Sequence, residues 1–439
     1  MAVSPQVIIE QVLLLASGKR VCIAYSGGID SHVLLHLLAT SKYAQLKNLV
    51  AIHVDHGLNK DSAQWAQHCA DVAAELSVNF ISLQADVTNI ESLGMEAAAR
   101  AARYQVLQDA LSENDILLTA QHQEDQAETV LLQLFRGAGP KGLSAMGSSF
   151  QLGDTRCIRP LLNVSQDDVL RYAKTNHLQW VEDPSNVETR WNRNYIRHTL
   201  WPDIVARWPS AAQTISRSAA HCAETSELLD DLAEHDFALL NVDKTSISLS
   251  ITALLTLSVA RCRNVLRHFL LWKKLPLPSR VNLQRIIDEV CMAKTDSDPL
   301  VAWAGVEVRR YRDQLYFMLP LTDHDNSNKV KADSFQDISL QDGRVIEWIS
   351  LDGQGIKLPS SGNVTLRFRQ GGEKIKPQGE EHHKSLKHLF QQWSVPPWQR
   401  DRIPLIFCDD KLVAVVGYCI DDLYSVSDGQ QGSLPQFKV

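Results

Sequence analysis

Residues 26–31, Ser-Gly-Gly-Ile-Asp-Ser, set two hydroxyls and a carboxylate around a pair of glycines. Gly27 and Gly28 let the backbone take positive φ and approach a ligand closely. At the start of a helix, unpaired N–H groups and the positive end of the dipole make an anion site, and Ser26 and Ser31 add donors to it. Asp30 is repelled by a bare phosphate but suits Mg2+ carried with one. The plainer alternative is a tight turn in which Asp30 or Ser31 caps the helix. A kinase-type phosphate loop is excluded, because no G-x-x-x-x-G-K-[ST] string occurs.

Asp125 and Glu128 form a second candidate pair. Three residues apart on a predicted helix, they share a face near its N-terminus. They read either as solvated acids that help the helix start or as carboxylates with chemical work. His53 and Asp55, followed by His56, form a third group. They alternate along a strand edge with no fourth ligand beside them, so a nucleotide-contacting loop is a better reading than a metal site. Arg190, Arg193 and Arg197 are interleaved with Trp191 and Tyr195, which suits a nucleic-acid backbone with stacked bases. On spacing alone, a surface helix that packs its aromatics is the simpler account.

These residues must be held by something. Strand-like runs occur at 21–25, 49–54, 79–83, 116–120 and 157–161, with helical runs at 30–41, 62–76, 95–111 and 124–135 between them. That alternation predicts a doubly wound parallel sheet with helices on both faces. Ligands of such sheets sit beyond the carboxyl ends of the strands, which is where all three groups lie. Gly137–Gly142 spells G-x-G-x-x-G but follows a helix rather than a strand, so it reads as a flexible loop and not a dinucleotide site.

At 439 residues the chain has room for three domains of about 150 residues each. The first, α/β, is expected over 1–210. A mostly helical domain with a basic stripe follows over 211–325, with helical runs at 210–240, 254–271 and 280–293. A polar linker is expected over 321–343. A small α+β domain over 344–439 carries Arg367, Arg369, Lys374, Lys376, Lys384, Lys387, Arg400 and Arg402. Its His382, His383 and His388 read as solvated histidines at a helix start rather than as metal ligands. The net charge of −7 means that a large polyanion would have to meet these local basic patches rather than the whole surface. Eight scattered cysteines without a C-x-x-C pair read as reduced thiols in a cytoplasmic protein. No apolar run is long enough to span a membrane.

The loop at Ser26–Ser31, between strand and helix, resembles that of the PP-loop ATP pyrophosphatases. Further strings narrow the resemblance: His53–Leu58, Glu96–Tyr104, Thr119–Thr129, Arg136–Met146, Arg159–Leu162 and Trp180–Asn186, then Arg193-Asn194-Tyr195-Ile196-Arg197. Arg367–Glu373, Leu386–Phe390 and Arg400–Leu405 complete it. Taken in this order they resemble the bacterial tRNA(Ile)-lysidine synthetases over nearly the whole chain. The chain departs from that pattern at Asn59, where Arg is common, and at Gln121-His122-Gln123-Glu124-Asp125, where His-His-x-Asp-Asp is common.

The resemblance implies a function. ATP adenylates the carbonyl oxygen on carbon 2 of the wobble cytidine in a tRNA(Ile) with a CAU anticodon. The side-chain amine of free lysine then displaces AMP, and the modified tRNA reads AUA and accepts isoleucine. It further implies that Ser26, Gly27, Gly28, Ile29, Asp30, Ser31, His53 and Asp55 bind ATP, with Asp30 also holding Mg2+. Asp30, Asp125 and Glu128 are expected to be catalytic, with the last two holding the lysine. Arg103 is expected at the lysine carboxylate, Arg100 being the alternative, and Arg193 and Arg197 at the substrate. Two other classes are a tRNA thiolase, disfavoured by the lack of C-x-x-C, and an RNA-binding protein with a decayed ATP site, disfavoured by the intact loop.

Overall fold

The computed structural model describes residues 4–438 except 17, 44, 45, 47, 58, 60, 89–94, 244, 295, 296, 332–335, 341 and 358–362, and it leaves out the side chains of 95, 96 and 185. Leu58 and the Glu96 side chain, both in the strings quoted above, therefore lie outside the described residues. The chain divides into two compact units, Met1–Asp231 and Leu232–Val439.

The first unit is built on a six-stranded sheet of order β3-β2-β1-β4-β6-β5. Its strands are β1 (Arg20–Ala24), β2 (Val50–Asp55), β3 (Asn79–Gln84), β4 (Asp115–Leu118), β5 (Ser149–Leu152) and β6 (Thr155–Ile158). All neighbours are parallel except the β5–β6 pair. Val21, Cys22 and Ile23 are buried, as is the whole of β4, because helices cover both faces of the sheet. One face packs on α1 (Pro5–Ala16), α2 (Ile29–Ala39), α3 (Ser62–Glu75) and α7 (Gln166–Thr175); the other packs on α4 (Met95–Ala110) through Leu107. Leu34, Leu35 and Leu38 of α2 are fully buried, each contributing on the order of 1.5–3 kcal/mol. The chain leaves β1 toward β2 on one side and reaches β4 on the other, so the order reverses between β1 and β4. A crevice opens at the carboxyl ends of a sheet at such a point.

Two features were not legible in the sequence. The strand expected over 157–161 belongs to a hairpin with β5, closed at Gly153, whose φ is +55°. Residues 137–142 are expected to be a flexible loop, but α5 (Gln123–Phe135) is followed by a one-turn helix, α6 (Pro140–Leu143), which starts at Gly139 with a proline in its first turn. The Gln126 amide clamps this segment: its nitrogen donates to Met146 O at 2.9 Å and its oxygen accepts from Met146 N at 2.9 Å.

Helix α8 (Asn192–Tyr195) runs through a π-helical turn, Ile196–Leu200, into α9 (Trp201–Arg207). The long helix α10 (Ala211–Leu239) contains the boundary between the units.

In the second unit, α11 (Ile251–Leu254), α12 (Val259–Trp272) and α13 (Arg280–Arg285) pack on an antiparallel sheet of order β7-β10-β9-β8. Its strands are Ser248–Ser250, Gln314–Met318, Val306–Tyr311 and Leu300–Trp303, in that order. The rest is antiparallel. One sheet has the order β11-β14-β17-β18-β19 (Val330–Lys331, Val364–Arg367, Leu405–Cys408, Lys411–Val415, Cys419–Ile420), another β12-β13-β20 (Ile338–Ser339, Val345–Asp352, Gln431–Phe437), and a third pairs β15 (Lys374–Ile375) with β16 (Lys384–Ser385). The helix α14 (Leu386–Gln392) packs beside them. The linker expected over 321–343 thus contains two short strands, β11 and β12, each too brief to carry an alternating pattern.

Candidate active site at the carboxyl edge of the parallel sheet

The loop after β1 is shaped by its own hydroxyls. Ser31 Oγ donates to Gly28 O at 3.0 Å and accepts from Ser26 N at 3.2 Å, and the two serine oxygens lie 3.2 Å apart. Gly27 has φ +82°, and a Cβ there would lie 2.9 Å from Cys69 Sγ, so both conformation and space require glycine. The residue before α2 is Gly28, with no side-chain cap. Neither Asp30 nor Ser31 caps the helix, and its first N–H groups stay available to an anion. Asp30 Oδ1 is buried, with no hydrogen bond among the described residues. Burial raises the Asp30 pKa, an effect only partly offset by His122.

Across the crevice, α5 brings together residues that are distant in sequence. Asp125 and Glu128 are buried rather than solvated, and both face Arg193 and Arg197. Glu128 Oε1 accepts from Arg197 Nε at 2.6 Å, and Oε2 from Arg193 Nε at 3.0 Å and Arg197 Nη2 at 2.9 Å. Asp125 Oδ1 accepts from Arg193 Nη2 at 3.0 Å and Arg197 Nη2 at 2.8 Å. Asp125 Oδ2 accepts the His122 backbone N–H at 3.1 Å and no other hydrogen bond among the described residues. The two arginines expected at the substrate are therefore turned onto the two carboxylates. Tyr195 remains half exposed beside them, and Arg190 lies over Trp191 and pairs with Glu188.

His122, which no spacing in the sequence marks as a site residue, sits in the middle. Its Nδ1 lies 3.0 Å from Glu124 Oε2, and its Nε2 faces Asp125 Oδ2 at 3.5 Å and Asp30 Oδ1 at 3.8 Å. Burial pulls its pKa down, but the Glu124 hydrogen bond and the Asp125 and Asp30 carboxylates outweigh burial and raise it to about 9. Burial also opposes ionisation of Asp125, yet His122 and the two arginines hold its pKa below the ordinary value. Four carboxylates thus surround three cations, which leaves the cluster short of positive charge. Asp30 Oδ1 and Asp125 Oδ2 are among the oxygens that retain acceptor capacity. Glu124 also accepts from Gln166 N at 2.8 Å, tying α5 to the start of α7.

Gln121 is fixed by its surroundings. Its Oε1 accepts from Thr119 Oγ1 at 2.6 Å and Arg159 Nε at 3.2 Å, and the Arg159 guanidinium rests over the Phe150 ring. Within β2, near its carboxyl end, His53 is buried, with Nδ1 3.0 Å from Tyr25 O and its ring stacked on Phe80. Asp55 accepts from Gly57 N at 2.8 Å. Arg103 reaches this rim from α4 and contacts His56, whereas Arg100 lies over Tyr104. The signal for His122 and Glu124 was their place at a strand-to-helix junction, but nothing in sequence spacing joins them to Arg193 and Arg197.

Residues 3–204 match the PP-loop domain model, residues 249–316 the TilS substrate binding domain and residues 364–436 the TilS substrate C-terminal domain. Among similar proteins, the tRNA(Ile)-lysidine synthase of Coxiella burnetii is 42% identical over 431 residues, covering 98% of this chain and 95% of its own. That of Legionella pneumophila strain Paris is 38% identical, covering 94% and 95%, and that of Pectobacterium atrosepticum 40%, covering 94% and 92%. With this identity along almost its full length, and with the loop, acid pair and arginines meeting at one sheet edge, the chain belongs to the tRNA(Ile)-lysidine synthase family of PP-loop enzymes.

Proposed function

We propose that this enzyme joins free lysine to carbon 2 of the wobble cytidine of a tRNA(Ile) with a CAU anticodon, at the expense of ATP. The observation that carries this reading is the meeting of an uncapped glycine loop with an acid cluster that retains acceptor capacity. In the first step the cytidine carbonyl oxygen attacks the α-phosphorus of ATP and pyrophosphate leaves. In the second the lysine amine attacks carbon 2, AMP leaves with the oxygen, and the amine loses a proton. The product reads AUA and accepts isoleucine.

The N–H groups at the start of α2 and the Ser26 and Ser31 hydroxyls hold the departing pyrophosphate. The buried, unpartnered Asp30 Oδ1 fits a divalent cation beside it. Mg2+ bound there supplies positive charge against the phosphate oxygens. His53 and Asp55 line the nucleotide side. Asp125 receives the lysine ammonium on Oδ2, while Glu128 fixes Arg193 and Arg197 around it. Free lysine has a pKa of ~10.4, so only about one molecule in a few thousand is neutral at pH 7; a carboxylate that binds the ammonium can also take its proton. Arg103 takes the lysine carboxylate. Residues 211–325 and 344–439 act as two tRNA-binding domains after the catalytic domain of residues 1–210.

The test is incubation with ATP, Mg2+, labelled lysine and tRNA transcripts. Label should enter tRNA(Ile) with a CAU anticodon and not the elongator methionine tRNA. ATP cleavage without incorporation of label would overturn the reading.

A further inference from the structure

Arg103 and His56 make a contact that no carboxylate enters. Arg103 Nε and Nη2 lie 3.2 and 3.0 Å from His56 Nε2. A guanidinium only donates, so Nε2 is the acceptor and Nδ1 carries the ring hydrogen. Burial and the adjacent guanidinium keep this imidazole neutral, with its pKa lowered to about 4. A neutral acceptor fixes the guanidinium plane without cancelling its charge, which an aspartate in the same place would do. It also occupies only one edge of the group. The Nε–Nη2 edge faces His56, while Nη1 meets no partner among the described residues, and no carboxylate there lies within ion-pair distance of Arg103. The remaining Nη1–Nη2 end is the fork that binds a carboxylate with two parallel hydrogen bonds. Because His56 directly follows β2, Arg103 is held at the carboxyl edge of the sheet, the same edge that carries Asp30 and Asp125.

We propose that His56 is a positioning residue that presents the charged end of Arg103 to the carboxylate of the incoming amino acid, and so selects an α-amino acid over a simple diamine. The proposal rests on the reading above that Arg103 takes the lysine carboxylate. The probe is 1,5-diaminopentane, which has the same chain and terminal amine as lysine but no carboxylate, measured as a competitor of lysine with the full-length enzyme, ATP and tRNA.

His56→Ala should raise the KM for lysine about tenfold, as expected for a disordered charge-assisted contact. The KM for ATP and the inhibition constant of diaminopentane should each stay within about twofold. His56→Gln, whose amide oxygen can accept from Arg103, should recover most of the loss. Arg103→Ala should raise the lysine KM by at least as much, and adding His56→Ala to it should cost nothing further. ATP-dependent adenylation of tRNA in each variant reports that the protein is folded. If Arg103→Ala raises the lysine KM and His56→Ala does not, the positioning role is overturned while the Arg103 reading stands. Equal losses for lysine, ATP and diaminopentane in His56→Ala would also overturn it, since a merely structural role predicts that pattern. An unchanged lysine KM in Arg103→Ala overturns the underlying reading, and the proposal with it.

Discussion

At the scale of single residues, the acid cluster combines two demands. Glu128 receives three N–H donors from two arginines and is almost wholly buried. Removing its charge leaves two guanidiniums short of a partner, and breaking a buried pair in this way costs about 3–5 kcal/mol. Glu128→Gln should therefore lower stability by about that much, measured by urea denaturation. Asp125→Asn keeps shape but removes the charge that we propose receives the lysine ammonium. It should slow lysine transfer by ~10- to 100-fold while tRNA adenylation continues, so that the adenylated intermediate accumulates in single turnover. Equal loss of both steps would move Asp125 to the ATP side of the site.

Another buried carboxylate sets an acid limit. Asp115 is held below its ordinary pKa chiefly by its hydrogen bonds from Arg20, with the Ser112 N–H and hydroxyl helping and burial opposing. Its folded pKa lies below its unfolded one, so the stability it contributes is present above the unfolded pKa of about 3.9 and is lost as pH falls through the folded value. Asp115→Asn should flatten this acid limb of the melting temperature against pH and lower stability near neutrality. An unchanged acid limb would remove Asp115 from the account.

At the scale of elements, the strand–loop–helix of β1 and α2 depends on one backbone conformation. Gly27→Ala meets two obstacles, the positive φ and the Cys69 sulfur at 2.9 Å. The φ strain alone costs roughly 1–2 kcal/mol. The variant should lose most ATP-dependent adenylation. Cys69→Ala in the same chain should relieve the clash but not the strain, and so restore part of the stability and little of the activity. The clamp of Gln126 on Met146 works at the same scale: two hydrogen bonds from one side chain hold a segment whose glycines and proline read as loose.

At the scale of the whole molecule, a net charge of −7 has to be reconciled with a polyanionic substrate. Several basic residues of the C-terminal part are already paired: Arg367 with Asp410, Arg369 with Asp401, Lys376 with Asp422 and Lys384 with Glu380. Lys374 and Lys387 are exposed, with no ion pair among the described residues. tRNA binding should therefore be sensitive to salt, weakening at least about tenfold between ~50 and ~200 mM as counterions are released. A chain ending at Asp325 should keep ATP binding and lose tRNA affinity. Within the second unit, though, Arg312 donates to Ser394 and Gln391, and Arg400 to Tyr311. The truncation thus also strips contacts from the sheet that remains, and its melting temperature should fall. Unchanged tRNA affinity would show that residues 326–439 are not a tRNA-binding element.

The sequence alone determined the alternating sheet, the glycine loop and the spacing of Asp125 and Glu128, because each is written in local periodicity or in a short string. Four of the five expected strands of the first unit, and all four of its expected internal helices, lie within two residues of the observed ones. The fifth, over 157–161, was displaced because the β5–β6 hairpin is set by a turn and not by apolar alternation. The short strands β11 and β12, and the edge strand β20, were hidden for a similar reason: each is defined by the strand it pairs with. Only the tertiary structure decided what the charges do. Arg193 and Arg197 carry no mark in the sequence that separates an RNA contact from an internal counterion. Folding brings them, over more than sixty positions, onto carboxylates whose burial requires a partner. His122 and His56 likewise became legible only through their neighbours: one is held charged among three carboxylates and the other neutral beside a guanidinium.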